Sequence, residues 1–405
     1  MIDSDERLGL LRGKFQEWGH DFREHALELD SDPEAIRRYF DLPAARYLAT
    51  MGIPAEYGND PEPIGGHRFF GDKALERAVI MEELAYADAG MLVASPGPLL
   101  AGVLVDLLGD RRQKEWFYGR MTAEPLWTCF ALTEPDHGSD AGSLTTSLTP
   151  KDGGFVLNGT KRYVGNAARA QIGVVFARTR PGPLGVTAVL TEGSAPGFHA
   201  EALPMIGLRG ALISSIELDG VEIAEDRVLG RHLSPSRRGN WAFMQTFNRL
   251  RPGVAAIALG IARAAYTYVL ANRRAIGRFD RDRLDELGRR IVATRKLVHR
   301  AAAAVDLNST NGHLASAAKV RAAQLAEDAT LLACSFFGPG ARLDHPLLDK
   351  LTRDARAMEF LEGTGHMQRL NLFQGYLSGR FDRDAPFPAA PGLLDSGAAQ
   401  PSTAS

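Results

Sequence analysis

The apolar residues of this chain change their spacing twice, and that succession of periods restricts the fold more than any single motif. Up to about residue 126 they recur every three or four positions, the mark of helices with a buried stripe. ALERAVIMEELAYA, from Ala74, carries Leu75, Val79 and Leu84 in this way. GPLLAGVLVDLLGD follows a Ser95-Pro96-Gly97-Pro98 break, which predicts the end of one helix and the start of another. From about 127 to 235 the pattern shortens to runs rich in β-branched and aromatic residues: WTCFAL, FVLNGTKRYV, IGVVFAR, GVTAVLT and SSIELDGVEI. Asp152-Gly153-Gly154 and Asp219-Gly220 read as turns between them. Several short strands in so little chain predict a small barrel or sandwich. From about 236 the helical period returns, with Leu284, Leu287, Ile291, Thr294 and Val298 on one stripe. Leu314, Ala318, Arg321, Leu325, Ala329, Leu332 and Phe336 form another. Long helices with alanine-rich faces predict a bundle and an oligomer interface. Residues 386–405 are rich in Pro, Gly, Ala and Ser and read as a disordered tail.

At 405 residues the chain needs two or three packed units. A formal net charge of −2 argues against a nucleic-acid groove or an anionic membrane surface. Cys129 and Cys334 are the two cysteines, so a disulfide framework and a cysteine-rich metal site are excluded. A reducing cytoplasm fits that usage. The N-terminus is charged and has no apolar signal core. The longest apolar run starts at Val254 and is interrupted by Arg263, which reads as a buried helix rather than a membrane span. The expectation is a soluble cytoplasmic enzyme. Phosphate-loop, zinc-protease and nucleophile-elbow motifs are absent. Gly338-Pro339-Gly340 begins like a dinucleotide fingerprint, but Leu343 stands where its third glycine belongs. The ten histidines show no ligand spacing, so no metal is expected.

Three segments can carry chemistry. FALTEPDHGSDAGSL, from Phe130, ends a β-run in a loop with Gly138, Ser139, Asp140 and Gly142. Such a loop offers N–H groups and a hydroxyl to a polar cofactor edge, and it is equally an ordinary turn. LNGTKRYVGNAARA, from Leu157, carries Tyr163 to a strand end, where an aromatic stacks on a planar ligand or packs against its own chain. RDARAMEFLEGTGHMQR, from Arg353, sets Glu362 between Phe360-Leu361 and Gly363-Thr364-Gly365. A carboxylate there is a desolvated base at a helix break, or a helix-start carboxylate that favours the dipole of HMQRLNLFQGYL; the second is the commoner arrangement.

The three segments, in this order, resemble the acyl-CoA dehydrogenases. ALTEPDHGSD resembles their T-E-P-x-x-G-S-D signature, NGTKRYVGN their N-G-x-K-x-W-I-T-N strand, and RDARAMEFLEGTGHMQR the segment holding their catalytic glutamate. EELAYADAG and RPGVAAIALGIARAA also match family stretches, so the resemblance spans about residues 70 to 380. It implies an α+β multidomain fold: an N-terminal helical domain (1–126), a central β-barrel domain (127–235) and a C-terminal four-helix bundle (236–385). FAD would bind between the last two, with a neighbouring subunit of a homodimer or homotetramer closing the site.

Carried over by position, Glu362 would take the α-proton of an acyl-CoA or acyl-carrier-protein thioester while a β-hydride passes to flavin N5. Hydrogen bonds from the FAD ribityl group and the Glu362 N–H would stabilise the enolate. Phe130, Leu132, Thr133, Gly138, Ser139, Tyr163, Gly165, Thr364 and His366 would meet FAD. Arg273, Ile276, Ser335, Gly338 and Pro339 would contact the FAD of a partner subunit. Ser139, Phe247, Asn248, Arg251 and Gly363 would meet the substrate. Reduced FAD would pass electrons to an electron-transfer flavoprotein or another acceptor.

Four positions depart from the family pattern. Gly165 replaces a threonine, Leu361 an aromatic before the glutamate, Ser335 a glutamine and Asn248 an aspartate on the pantetheine path. Two other functions suit the same fold. One is a flavin monooxygenase or oxidase, which needs no base at Glu362; the other is a helical scaffold without flavin.

Overall fold

The first helical stretch closes around one central helix in the computed structural model, which describes residues 4–310 and 312–380. The tail expected over 386–405 lies outside the described residues. Helices α1 (Ser4–Glu24), α2 (Ala26–Ser31) and α3 (Pro43–Thr50) are followed by α4 (Ala74–Ala94), α5 (Leu99–Leu108) and α6 (Arg111–Ala123). The Ser95–Pro98 break separates α4 from α5 as the prolines predict.

Eighteen of the 21 residues of α4 are buried, so it is covered on every side. Its carboxylates are therefore paired: Glu82 with Arg263 and Arg295 at 2.8 and 2.7 Å, Glu83 with Arg12 and Arg263 at 3.1 and 3.0 Å. Asp88 breaks the helical geometry with φ −158° and ψ 119°, and its Oδ1 accepts from the Met91 N–H at 2.7 Å. It thus caps the second half of the helix from inside it.

The middle of the chain is one curled seven-stranded sheet: β1 (Thr128–Ala131), β2 (Ser147–Lys151), β3 (Gly154–Val164), β4 (Ile172–Arg178), β5 (Val186–Glu192), β6 (Phe198–Ala202) and β7 (Ser214–Ala224). The order is β1-β4-β2-β3-β7-β6, with β5 on β4; β1 runs parallel to β4. The turn expected at Asp152–Gly153 joins β2 to β3, with Gly153 at φ +80°. Asp219–Gly220 is not a turn. It lies inside β7, where Leu157 pairs with Val221 but Gly159 with Leu218, so two residues oppose one and the strand bulges. Asn158 Oδ1 accepts from the Gly220 N–H at 2.7 Å, which satisfies the bulge without reversing the chain. One sheet face, with Ile172, Val174 and Phe176, packs on Leu104 and Phe117 of the preceding helices.

The last part holds α7 (Gly239–Asn272), α8 (Arg278–Leu307), α9 (Gly312–Ser335), α10 (Ala341–Asp344), α11 (Pro346–Ala357) and α12 (Gly365–Leu377). By length and composition α7 could cross a membrane, but most of its apolar stretch is buried within the fold. The α8 stripe is buried as its spacing predicts. Of the stripe expected on α9, Ala318, Leu325, Ala329 and Phe336 are buried, Leu314 and Leu332 pack against the core, and Arg321 is exposed. Ala315, Ala322 and Ala326 widen the buried face, and their small side chains let α9 lie close to α7.

One buried cluster joins the three parts. Lys350 Nζ on α11 donates to Asp88 Oδ2 and Asp354 Oδ2, each at 2.6 Å, and all three side chains are within 1 % of full burial. Asp354 Oδ1 also accepts from the Leu208 N–H, between β6 and β7, at 2.6 Å. Removing one member leaves buried charge uncompensated, at a cost of about 3–5 kcal/mol. Lys350→Met is expected to lower the unfolding free energy by that much in denaturant titration, and the triple change Asp88→Asn, Lys350→Met, Asp354→Asn by clearly less than the single one.

Candidate active site

Glu362 lies in the turn between α11 and α12, and the turn takes its shape from two successive positive φ angles. They are +52° at Glu362 and +97° at Gly363. A side chain at 363 would meet Gln368 Nε2 at 2.8 Å from its Cβ, so glycine is required there. A non-glycine residue at positive φ costs about 1–3 kcal/mol and persists only where its surroundings hold it.

Buried donors hold this one through its carbonyls. Lys319 Nζ on α9 donates to the carbonyls of Glu359 and Gly363 at 2.6 and 2.7 Å. Gln368 Nε2 donates to those of Glu362 and Gly363 at 3.1 and 3.3 Å, and Arg251 Nε to that of Glu362 at 3.4 Å. Ser316 Oγ donates to Gln368 Oε1 at 2.8 Å, which fixes the direction of the amide. Thr364 caps α12, accepting from the Met367 N–H at 3.5 Å. The helix-start reading therefore holds for Thr364 but not for Glu362, which precedes the cap by two residues.

The carboxylate itself is unclaimed. Glu362 Oε2 is withdrawn from solvent and has no hydrogen-bond partner. Its backbone N–H also makes no hydrogen bond among the described residues. Burial pushes its carboxyl up to about 8, against the pull of the Arg251, Lys319 and Arg77 charges. Burial likewise brings Lys319 down to about 8 and Arg251 down to about 10. A carboxyl of that acidity in a dry place is suited to taking a proton from a weak carbon acid.

The sheet supplies a second wall, joined to Glu362 by contacts. The Phe130 ring on β1 lies 5.7 Å from that of Phe247 on α7, and the Arg251 guanidinium lies 5.5 Å from the Phe247 ring. Arg251 Nη1 donates to Asn248 Oδ1 at 3.0 Å, and Asn248 Nδ2 to the Ser309 carbonyl at 3.3 Å. Asn248 thus fills its place by orienting Arg251. Leu132 is buried, whereas Gly138 and Ser139 are exposed on the loop that follows β1.

That loop is anchored by a residue that sequence reading passed over. Glu134 accepts from the N–H and hydroxyl of both Thr145 and Thr146 and from Lys161 Nζ, at 2.5 to 2.9 Å. Burial opposes the charge, but Lys161 and the threonine donors outweigh it and take the carboxyl down to about 2. Lys161 Nζ also donates to the Leu132 carbonyl at 3.0 Å. Two residues on, Tyr163 stands at φ +60° and is 57 % exposed, and Gly165 follows. A Cβ at 165 would lie 3.8 Å from Ile213, so packing does not demand glycine there. His366 is exposed on α12.

Arg273, Ile276, Ser335, Gly338 and Pro339 are not brought to this site within one chain. Arg273 follows Arg251 by 22 residues along α7, about 33 Å at the rise of a helix. Ser335 accepts from Arg283 Nη2 at 3.2 Å at that far end. Of the other residues missed, Lys319 and Gln368 sit on helices at buried positions, and a polar residue on an apolar stripe was the available signal.

The family model described as "Acyl-CoA dehydrogenase, middle domain" matches residues 129–221, and "Acyl-CoA dehydrogenase, C-terminal domain" matches 237–377. An acyl-CoA dehydrogenase of Bacillus subtilis (strain 168) is 31 % identical over 343 residues, covering 81 % of this chain and 87 % of its own. The solved structure of butyryl-CoA dehydrogenase from Megasphaera elsdenii superposes with a TM-score of 0.78 at 27 % identity, over 91 % of this chain and 98 % of that one. An FAD complex of PigA has the same fold, with a TM-score of 0.78 at 20 % identity over 94 % and 99 % of the two chains.

The buried carboxyl makes stability depend on pH. The folded protein keeps this proton up to about pH 8, whereas the unfolded chain releases it near 4.5. Folding stability therefore falls as pH rises between those values. Glu362→Gln removes that slope. The melting temperature of the ligand-free variant is expected to exceed wild type at pH 9 and to approach it at pH 4.5.

Proposed function

The chain belongs to the acyl-CoA dehydrogenase family, and from that membership we propose that it removes hydrogen from the α- and β-carbons of an acyl thioester, with FAD as cofactor and Glu362 as base. The observation that carries this reading is the partnerless Oε2 of Glu362, buried and held on a constrained turn.

The residues present fit a flat cofactor with a polar edge. Tyr163 offers an exposed ring, the Gly138–Ser139 loop offers free backbone beside Thr133, and Thr364 stands at the end of the Glu362 turn. When bound, FAD supplies the acceptor for the hydride that leaves the β-carbon. The chain's own part is to bind, orient and deprotonate. Glu362 Oε2 takes the α-proton. The Glu362 N–H, without a partner of its own, is placed to donate to the thioester oxygen as negative charge gathers there. Lys319, Gln368 and Arg251 keep that peptide in one orientation, so little reorganisation is needed during reaction. Phe247 and Arg251 border the approach of the thioester arm.

A second copy of the chain would complete the cofactor site through Arg273, Ile276, Ser335, Gly338 and Pro339. The exposed Phe360, Leu370, Phe373 and Leu377 around α12 support such an assembly. Electrons would then leave to an electron-transfer flavoprotein or another acceptor.

Glu362→Gln is expected to keep FAD but lose anaerobic bleaching of the flavin band by acyl thioesters, by a factor of at least about 1,000. In the wild type the bleaching rate should rise with pH through about 8, since the base acts only when ionised. Bleaching by the variant at near wild-type rate, measured by stopped flow, would remove Glu362 from the chemistry.

A further inference from the structure

Two loops that touch each other carry four residues at positive φ. Tyr163 (+60°) and Asn166 (+58°) lie at the end of β3, and Leu208 (+49°) and Leu212 (+40°) between β6 and β7. Among the described residues only Leu99 and Glu362 share that geometry outside glycine. Tyr163 owes it to a bulge: Lys161 pairs with Ile216 and Val164 with Ser214, so Arg162 and Tyr163 together oppose Ser215. The loops meet where the Asn166 N–H donates to the Ala211 carbonyl at 2.7 Å. Gly165, just before Asn166, makes no hydrogen bond through its own N–H among the described residues. Left-handed backbone at residues other than glycine persists only where the surroundings hold it.

One side chain holds both loops. Arg169 is 6 % exposed, and among the described residues no carboxylate lies within 4 Å of its guanidinium. Its Nε and Nη2 donate to Asn166 Oδ1 at 3.1 and 2.6 Å. Nη2 also donates to the carbonyls of Gly210 and Ala94 at 2.5 and 3.2 Å, and Nη1 to that of Pro33 at 3.0 Å. One fork thus ties the end of β3 and the β6–β7 loop to the last residue of α4 and to the segment after α2. Trp127 supports it: its ring lies 4.8 Å from the guanidinium, and its Nε1 donates to the same Ala94 carbonyl at 2.7 Å. Asn166 Nδ2 donates to the neighbouring Val93 carbonyl at 3.1 Å. The β6–β7 loop is bound to the base as well. The Leu208 N–H donates to Asp354 Oδ1 at 2.6 Å, on the helix that leads into the Glu362 turn. A Cβ at Gly207 would lie 2.1 Å from the Arg353 carbonyl oxygen, so loop and helix have no room to shift.

We propose that Arg169 is a positioning residue for the flavin: through Asn166 and Gly210 it fixes where Tyr163 and the free Gly165 N–H stand relative to Glu362. The inference rests on the FAD reading above and adds a residue that acts on the cofactor through others. Without the fork, Asn166 Oδ1 and the Gly210 carbonyl lose their common donor, and the two left-handed loops are joined by the Asn166–Ala211 bond alone. The face they offer to a flat ring then has more than one position, while Glu362 keeps its own supports from Lys319, Gln368 and Arg251.

The test reads FAD affinity by titration of the apoprotein, the visible spectrum of the flavin at saturating FAD, and the melting temperature of the apoprotein. Arg169→Met should weaken FAD binding by at least about tenfold and displace the flavin bands. Asn166→Gly, which keeps the positive φ but removes the acceptor, should displace the bands in the same direction. The double variant should bind FAD no more weakly than the weaker single one, because the two side chains act as one unit. Arg37→Leu takes the other cation from the Trp127 ring, 4.8 Å away, and should bind FAD and absorb as the wild type does. A folded Arg169→Met with wild-type affinity and spectrum overturns the inference, even if it melts lower, since that marks a structural role alone. Additive losses in the double variant overturn it too, as does an equal change in Arg37→Leu. If Arg169→Met fails to fold, Asn166→Gly decides, and an unchanged spectrum there overturns the inference. A wild type that takes up no FAD sinks the cofactor reading itself; wild-type FAD binding that these variants leave untouched sinks this inference alone.

Discussion

Lys350 sits between Asp88 and Asp354 with no access to water, and that three-residue contact sets where α11 lies against α4. The geometry on each side depends on it. Asp88 can leave helical geometry because one oxygen caps the Met91 N–H while the other meets the lysine. Asp354 divides its oxygens in the same way, one for the lysine and one for the Leu208 N–H. Every polar atom of the cluster thus has a defined partner, and the helical and sheet parts can be docked in one relation only. Buried ion clusters of this sort add little net stability compared with a well-packed apolar core, but they penalise any other docking heavily. For a site assembled from α7, α9, the sheet and the turn after α11, position matters more than a few kcal/mol.

The turn inherits that position and adds its own constraints. Glu362 follows Asp354 by eight residues, so a fixed α11 fixes where the strained backbone begins. The donors around it all address carbonyls, from Lys319, Gln368 and Arg251. None addresses the carboxylate. A direct ion pair would have lowered the pKa of Glu362 and held Oε2 away from any substrate. Cations occupied by carbonyls exert their field without occupying the base. Burial raises the carboxyl, the field restrains it, and the result stands at about 8. A carboxyl near 8 would suit the proposed role of base.

Much of this architecture was legible in the sequence because periodicity records which face of an element is buried. The α4 and α8 patterns, the strand runs and the proline break after α4 needed no knowledge of distant partners. The misreadings came where distant partners decide. Asp219–Gly220 has the residues of a hairpin turn, but Asn158 on the neighbouring strand satisfies Gly220 and turns the pair into a bulge. On α9 the spacing put Arg321 on the buried stripe, whereas Arg321 is exposed while Ala318, Leu325 and Ala329 of that stripe are buried. At the site, Glu362 was legible through its flanking motif. Its supports were not, because Lys319 lies 43 positions before it in the chain and shows its purpose only through two carbonyl contacts. Glu134 stood inside a motif that was noticed, yet its structural task became visible only when five donors were seen around it.

Charge balance around the turn bears on the proposed base. Arg251, Lys319 and Arg77 all act on the Glu362 carboxyl, while Glu359 also acts on Lys319, and Asp306 and Asp72 on Arg77. Lys319 and Arg251 reach the turn through its carbonyls, whereas Arg77 donates to the carbonyls of Gly71, Asp72 and Arg249.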